Sequence, residues 1–339
     1  MPARNEEAGL EESLRSVLAQ DYPEDRLEAV WVDDRSTDGT GRVMDRLREE
    51  AGGERVRVLR LDGLPEGWLG KNHAIYTGVR EPQGEWLLFA DADVRFEPSA
   101  FRRAVAYAER EGLDHLTLVP ELELEGYWLR GFAAFSFVSF LVYRGCYRAN
   151  DPDAPMGVGI GAFNLIRRRA YEKVGTYSAL ALRPDDDLRL GSRVKEHGLG
   201  QRMLMGSPLL SVAWYPSLGG MIRGLEKNIF AVLDYSFPKV LFYAAVVPAA
   251  TVWPFLALPF TRGLPLAAHA GAALAQLATF VIVNRFLGWR VLLLAPAYPL
   301  HALLVTYAMV RSTLLVLLRG GIYWRGTFYP TSLLRRGAV

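Results

Sequence analysis

Glu85-Trp86-Leu87-Leu88-Phe89-Ala90-Asp91-Ala92-Asp93 is the stretch on which the fold turns. Its apolar run reads as a buried strand that ends on two acids one residue apart. Toward the start of the chain, Val56, Val58 and Leu61 mark a strand, and Val43, Met44 and Leu47 share a helical face. Before them, residues 27–32 form a short apolar run of strand type, and Leu10, Leu14, Val17 and Leu18 lie on one face of a helix. In the other direction, Pro98 opens a helix reaching about residue 111, and 116–119 is a strand again. Strands alternating with helices of this length predict an α/β fold, a mostly parallel sheet with helices on both faces. Ligands of such sheets sit at the carboxyl ends of strands. Asp91-Ala92-Asp93 and the polar turn Asp33-Asp34-Arg35-Ser36-Thr37-Asp38-Gly39-Thr40 both fall there.

The 339 residues leave room for a large catalytic domain and a smaller attachment. Half are hydrophobic and mean hydropathy is slightly positive, an average that hides a division. Residues 1–238 mix charged and apolar side chains as a globular domain does, whereas from Lys239 onward there is no Asp or Glu. The expected organisation is a catalytic domain at 1–238, a transmembrane domain at 239–318 and a basic tail at 319–339. Segments 240–260, 264–283 and 291–310 are each long enough to cross about 30 Å of hydrocarbon. Their prolines, Pro248, Pro254, Pro296 and Pro299, are tolerated in membrane helices. A cytoplasmic catalytic domain puts Lys239, Arg285 and Arg290 inside, as positive charge prefers. Three full spans then place Arg311, Arg319, Arg325, Arg335 and Arg336 outside, so either the third segment is re-entrant or interfacial or the charge rule fails. Residues 129–145 are short for a span and read as a buried or interfacial helix, and 217–233 as an amphipathic helix running up to the bilayer. A net charge of +2 gives no case for nucleic acid. The single cysteine, Cys146, excludes an intramolecular disulfide and suits a reducing compartment. The start is polar and shows no signal peptide. The expected location is the cell (inner) membrane, multi-pass, with the catalytic domain cytoplasmic.

Three acidic clusters carry the candidate chemistry. Asp91 and Asp93 at a strand end can hold a hard divalent cation, Mg²⁺ or Mn²⁺, whose other positions go to diphosphate oxygens and water. The bland alternative is a capped polar turn. Asp34 can accept hydrogen bonds from a nucleobase or ribose, while Asp38 suits helix capping. In Asp185-Asp186-Asp187, opening a helix, one carboxylate can serve as general base, although acids at a helix N-terminus also complement its dipole. Gly67-Trp68-Leu69-Gly70-Lys71 leads into another helix, where Lys71 can reach phosphate; the spacing is not that of a Walker loop. His73 reads as a packed or solvated histidine.

Taken in order, Pro2-Ala3-Arg4-Asn5-Glu6-Glu7, the Asp33 to Thr40 turn, Asp91-Ala92-Asp93, Gly161-Ala162-Phe163 with Val174-Gly175, and Asp186-Asp187-Leu188-Arg189-Leu190 resemble glycosyltransferase family 2, with its GT-A fold. Gly67-Trp68-Leu69-Gly70-Lys71, Arg223-Gly224-Leu225-Glu226-Lys227-Asn228 and Trp324-Arg325-Gly326 look like its membrane-bound branch acting on carotenoids or hopanoid-type lipids. The resemblance implies a nucleotide-sugar donor, a lipid acceptor and inversion at the anomeric carbon. It implies Asp187 as catalytic base, Asp93 as metal ligand, and Asp34, Lys71, Asp91, Ala3 and Glu6 as donor contacts, with Asp186, Arg223 and Asn228 on the acceptor side. The Q-x-x-R-W motif of polysaccharide synthases is absent, which disfavours long-chain synthesis. The family's sheet begins with an apolar strand leading into the Pro2 to Glu7 turn; here Met1 stands where it should end, so further upstream residues are expected. Two rival readings are a phosphatase of the haloacid dehalogenase type, whose strand end Phe89-Ala90-Asp91-Ala92-Asp93-Val94 imitates, and a non-catalytic membrane scaffold of the same fold.

Overall fold

The computed structural model describes residues 1–52, 55–285 and 290–338. They form two compact units: Met1–Glu123 with Cys146–Ala213 and Arg336–Val339, and Leu124–Gly145 with Trp214–Arg335.

The first unit opens with β1 (Pro2–Ala3), α1 (Glu7–Leu18), β2 (Ala29–Asp33), α2 (Thr40–Glu50), β3 (Val56–Arg60) and α3 (Gly70–Gly78). β1, β2 and β3 form a parallel sheet in that order, with Ala3 beside Asp33 and Asp33 beside Arg60. The helical faces expected from periodicity are the buried ones: Leu10 and Leu14 of α1 and Met44 and Leu47 of α2 pack with Trp31 and Val56. Next come β4 (Trp86–Phe89), β5 (Val94–Phe96), α4 (Ala100–Arg110), β6 (His115–Val119) and β7 (Glu121–Leu122). After α5 (Tyr127–Val138), which belongs to the second unit, the first unit resumes. Its remaining elements are β8 (Asn164–Arg167), α6 (Arg168–Lys173), α7 (Asp186–Glu196), β9 (Gln201–Met205) and β10 (Leu210–Val212).

The second sheet has the order β4-β8-β6-β9, and here the parallel expectation gives way to a mixed sheet. β8 runs antiparallel to both β4 and β6, while β6 and β9 are parallel. Hydrophobic patterning reveals strands but not their direction. β10 completes a small sheet, antiparallel to β5 and parallel to β7. Residues of β2 and β4 together line an apolar cavity of about 190 Å³. The strand leading to Asp91 is the fourth of the chain, which removes the phosphatase reading, since that enzyme type carries its acidic strand near the start.

The second unit continues with α8 (Leu218–Gly224), α9 (Glu226–Val232), α10 (Phe237–Thr251), α11 (Trp253–Ala257), α12 (Gly263–Asn284) and α13 (Tyr298–Arg319). It ends with the hairpin β11 (Gly321–Trp324) and β12 (Thr327–Pro330), then α14 (Thr331–Leu334). Among the described residues, α12 and the stretch Ala295–Arg319 are long and apolar enough to cross a membrane, and a third span is counted only if α9 and α10, bent by 99°, are taken as one. Much of α12 faces outward, with Leu264 83% and Leu274 67% exposed. Such apolar surface suits lipid rather than water.

Three expectations are corrected here. Residues 240–260 are not one helix: Pro254 has no N–H for the Ala250 carbonyl, α10 stops at Thr251, and Gln276 Nε2 takes that carbonyl at 2.7 Å. The amphipathic stretch 217–233 is two short helices joined at Leu225. The third apolar segment starts later and runs further than 291–310, because Pro299 fits the first turn of α13 and Gly320, at φ 70°, closes it. Arg311 and Arg319 of α13 have an acidic partner within the unit. Both pair with Glu226 of α9, at 2.6 and 2.7 Å, and Lys227 lies over Trp324 of the hairpin. The end of α13 is therefore tied to the start of α9. The stretch 129–145 is as expected, a helix burying Phe132, Ala134, Phe135 and Val138.

Candidate active site

The end of β2 positions Asp34, whose amide bonds the Ala3 carbonyl of β1 at 2.9 Å. Its buried carboxylate receives Arg35 Nε at 2.8 Å and Nη2 at 3.2 Å, with Arg4 at 3.8 Å. A Cβ on Gly70 would come within 2.3 Å of Asp34 Oδ2, so only glycine lets α3 start this close. Asp38, one residue before the N-cap Gly39, accepts the Thr40 amide and hydroxyl at 3.0 and 2.6 Å at the start of α2. Glu6 precedes α1, its amide bonded to Thr40 Oγ1 at 2.9 Å.

Lys71, in the first turn of α3, reaches Asp91 Oδ1 at 2.7 Å and Asp186 Oδ1 at 3.7 Å. Burial opposes its charge, but Asp186, Asp91 and Asp187 outweigh burial and raise its pKa, so it stays an ammonium. Asp186 is buried and accepts the Tyr177 hydroxyl at 3.1 Å. Burial, then the charges of Asp186 and Asp187, push that phenol upward, so it remains a donor. Asp187 accepts the Gly161 amide on Oδ2 and its own neighbour Leu188's amide on Oδ1, both at 2.8 Å. Burial raises its carboxyl pKa, with Lys71 and the two amides opposing. Asp91 lies on the same face of Gly161, its Oδ2 within 2.6 Å of where a Cβ would stand. Asp93, just before β5, is exposed.

The segment carrying Gly161 crosses α7 with no room to spare. A Cβ on Gly159 would stand 2.1 Å from the Asp187 carbonyl oxygen, and one on Gly191 2.0 Å from the Val158 carbonyl carbon. Buried polar side chains hold the crossing. Asn164 Oδ1 accepts the Ile160 amide at 3.2 Å and His115 Nε2 at 3.1 Å; Gln201 takes the Val158 amide at 2.9 Å and donates to His115 Nδ1 at 2.7 Å and to Gly191 O at 3.1 Å. His115 is thus a neutral Nε2–H tautomer, and burial lowers its pKa to about 4.

Lys71, Asp91, Asp186 and Asp187, chosen from the sequence, therefore come together, and Asp34 stands at the Gly70 end of α3. Arg223 and Asn228 lie on α8 and α9 of the second unit, Asn228 Oδ1 accepting Lys227 Nζ at 3.2 Å. Tyr177, the Gly161 amide and the arginines on Asp34 were not foreseen. Nor was the buried pairing of Asp185 with Arg183, at 2.8 and 2.7 Å, which relieves the repulsion within the acidic triplet. The adjacency of Arg183 to the triplet was the signal that could have found it.

A family model described as "Glycosyl transferase family 2" matches residues 1–175. A 4,4'-diaponeurosporenoate glycosyltransferase of Staphylococcus aureus (strain bovine RF122 / ET3-1) is 24% identical over 98% of this chain and 88% of its own. The protein of that name from strain USA300 gives the same figures. Among solved structures, a mannosyltransferase from Pyrobaculum calidifontis in complex with GDP-Man and Mn²⁺ superposes with a TM-score of 0.53 at 21% identity. The match covers 90% of this chain and 85% of that one.

Proposed function

The chain belongs to glycosyl transferase family 2, and on that premise we propose that it carries a sugar from a nucleoside-diphosphate sugar to a membrane lipid. The donor is UDP-linked, and the acceptor group is a hydroxyl or carboxyl of a carotenoid, hopanoid or other isoprenoid. The observation that carries this reading is the Asp187 carboxylate, fixed by two amides within the cluster of Lys71, Asp91 and Asp186. As a hydroxyl acceptor attacks the anomeric carbon, Asp187 accepts its proton, a role that raised basicity suits. Attack and departure on opposite faces invert that carbon. The Lys71 ammonium stabilises charge growing on the diphosphate, Asp91 contacts the donor, and Asp34, beside Ala3 and Glu6, accepts hydrogen bonds from the nucleoside.

Asp91 and Asp93 offer oxygen donors only, and among the described residues no three His, Cys, Asp or Glu side chains form a metal cage. That set fits Mg²⁺ or Mn²⁺, which fill much of their shell with phosphate oxygens and water. Asp93 would hold the ion, which when bound offsets charge on the leaving diphosphate. The cytoplasmic face of the cell membrane is the proposed workplace: Lys239 pairs with Asp234, and Arg311 and Arg319 with Glu226, basic groups of the kind that favour that face. The test is to incubate membranes holding the protein with labelled nucleotide sugars and lipid extracts and to identify the product. A labelled lipid is expected; sugar released only to water, or none transferred, would end the lipid-acceptor reading.

A further inference from the structure

His301 lies in the first turns of α13 and is completely buried, yet neither ring nitrogen has a hydrogen-bond partner. The Leu294 carbonyl lies near the ring but outside hydrogen-bonding geometry. Room for the imidazole comes from Gly131 of α5, where a Cβ would meet the ring at 1.9 Å. Tyr127 and Trp128, at the start of α5, cover it with ring centroids 5.7 and 5.6 Å away. Both are partly exposed, at 40% and 46%, in a unit that also turns large aliphatic side chains outward. Burying an unpaired donor and acceptor in apolar surroundings is costly, and a phenylalanine would fill the same space without that penalty.

We propose that His301, under the cover of Tyr127 and Trp128, binds the polar end of a long apolar chain arriving from the lipid. A neutral imidazole presents one donor and one acceptor. A hydroxyl or a carboxylic acid can donate to the acceptor nitrogen or accept from the donor nitrogen, which a hydrocarbon cannot do. The inference rests on the lipid-acceptor reading for the choice of lipid class, but it concerns binding and not transfer.

The protein, in phosphatidylcholine nanodiscs, is photolabelled with geranylgeraniol carrying a diazirine, and the labelled peptides are mapped. Labels are expected within 127–138 and 298–319. Unlabelled geranylgeraniol and geranylgeranoic acid should displace them, and a hydrocarbon of equal length should not. His301→Phe should lower specific labelling about tenfold while leaving Tm unchanged or higher, and His301→Gln should keep most of it. Equal displacement by the hydrocarbon, or undiminished labelling in a folded His301→Phe protein, would overturn the proposal. If the phenylalanine variant does not fold, displacement on the unaltered protein decides. Transfer from labelled nucleotide sugar is measured separately, so loss of the acceptor reading with alcohol binding intact would leave this site standing.

Discussion

Asp186 accepts the Tyr177 hydroxyl and faces Lys71, whereas its neighbour Asp187 turns its oxygens to the amides of Gly161 and Leu188. Amide hydrogen bonds fix Asp187 in place without supplying a side-chain proton. Asp187→Asn is therefore expected to lower transfer by about 10²- to 10⁴-fold with donor binding nearly intact; near-normal turnover there, with Asp186→Asn inactive, would reverse the assignment. Asp93→Ala or chelation should abolish transfer, with Mg²⁺ or Mn²⁺ rescuing only the unaltered enzyme; full activity of stripped enzyme in excess chelator would remove the metal from the mechanism. His115 supplies a pH prediction. Its folded pKa, about 4, lies below the ordinary 6.5, so the unfolded chain binds the extra proton first. Stability is then complete above pH 6.5 and falls by roughly 3 kcal/mol as pH drops from 6.5 to 4. Thermal melts of His115→Gln should show a flatter slope across that window; an unchanged slope would assign the acid sensitivity elsewhere. The acids and Lys71 were legible because each stands at the end of an apolar run or the start of a helix. A tyrosine hydroxyl and a backbone amide have no such signature, since only folding brings Tyr177 and Gly161 to the triplet.

At the level of elements, helical faces and strand positions followed from periodicity, and failures came where one residue interrupts an otherwise apolar run. Pro254 is such a case: composition across 240–260 is uniform, but a missing N–H ends α10 and calls in Gln276 from α12. The glycines of Gly157-Val158-Gly159-Ile160-Gly161 are another. They show no periodicity in the sequence, and only the fold reveals that they let this segment lie on the backbone of α7. Gly159→Ala should cost about 1–3 kcal/mol and reduce transfer, because the new methyl collides with the Asp187 carbonyl beneath the proposed base. Gly9→Ala, with open space around it inside α1, is the control and should gain up to about 1 kcal/mol. If both substitutions change Tm and turnover alike, the close crossing does not matter.

Across the whole molecule, alternating strands and helices announced the α/β unit, and the absence of acids after Lys239 announced an apolar one. Charge counting left the terminal arginines open between a full and a partial crossing of the third segment, because it cannot see that Glu226 of α9 pairs with Arg311 and Arg319. One feature of the first unit appears only in three dimensions. The sheets holding β2 and β4 are not bonded to each other, and between them Ala29, Trp31, Leu87 and Phe89 help line the apolar cavity of about 190 Å³. Met1 enters its rim: its carbonyl accepts the Val32 amide, its ammonium donates to Val30 O at 2.9 Å, and burial lowers that amine's pKa to about 5. An amide in place of that amine would make the same bond without a charge to desolvate, and a strand continuing backward along β2 would fill the cavity. Fusing an apolar strand of about five residues ahead of Met1 should therefore raise Tm by roughly 2–6 °C, as filling a cavity does. A glycine-serine extension of equal length also replaces the amine but fills nothing. Equal gains from the two would credit the lost charge alone, and no gain from the apolar strand would mean that β2 and β4 do not accept a strand between them.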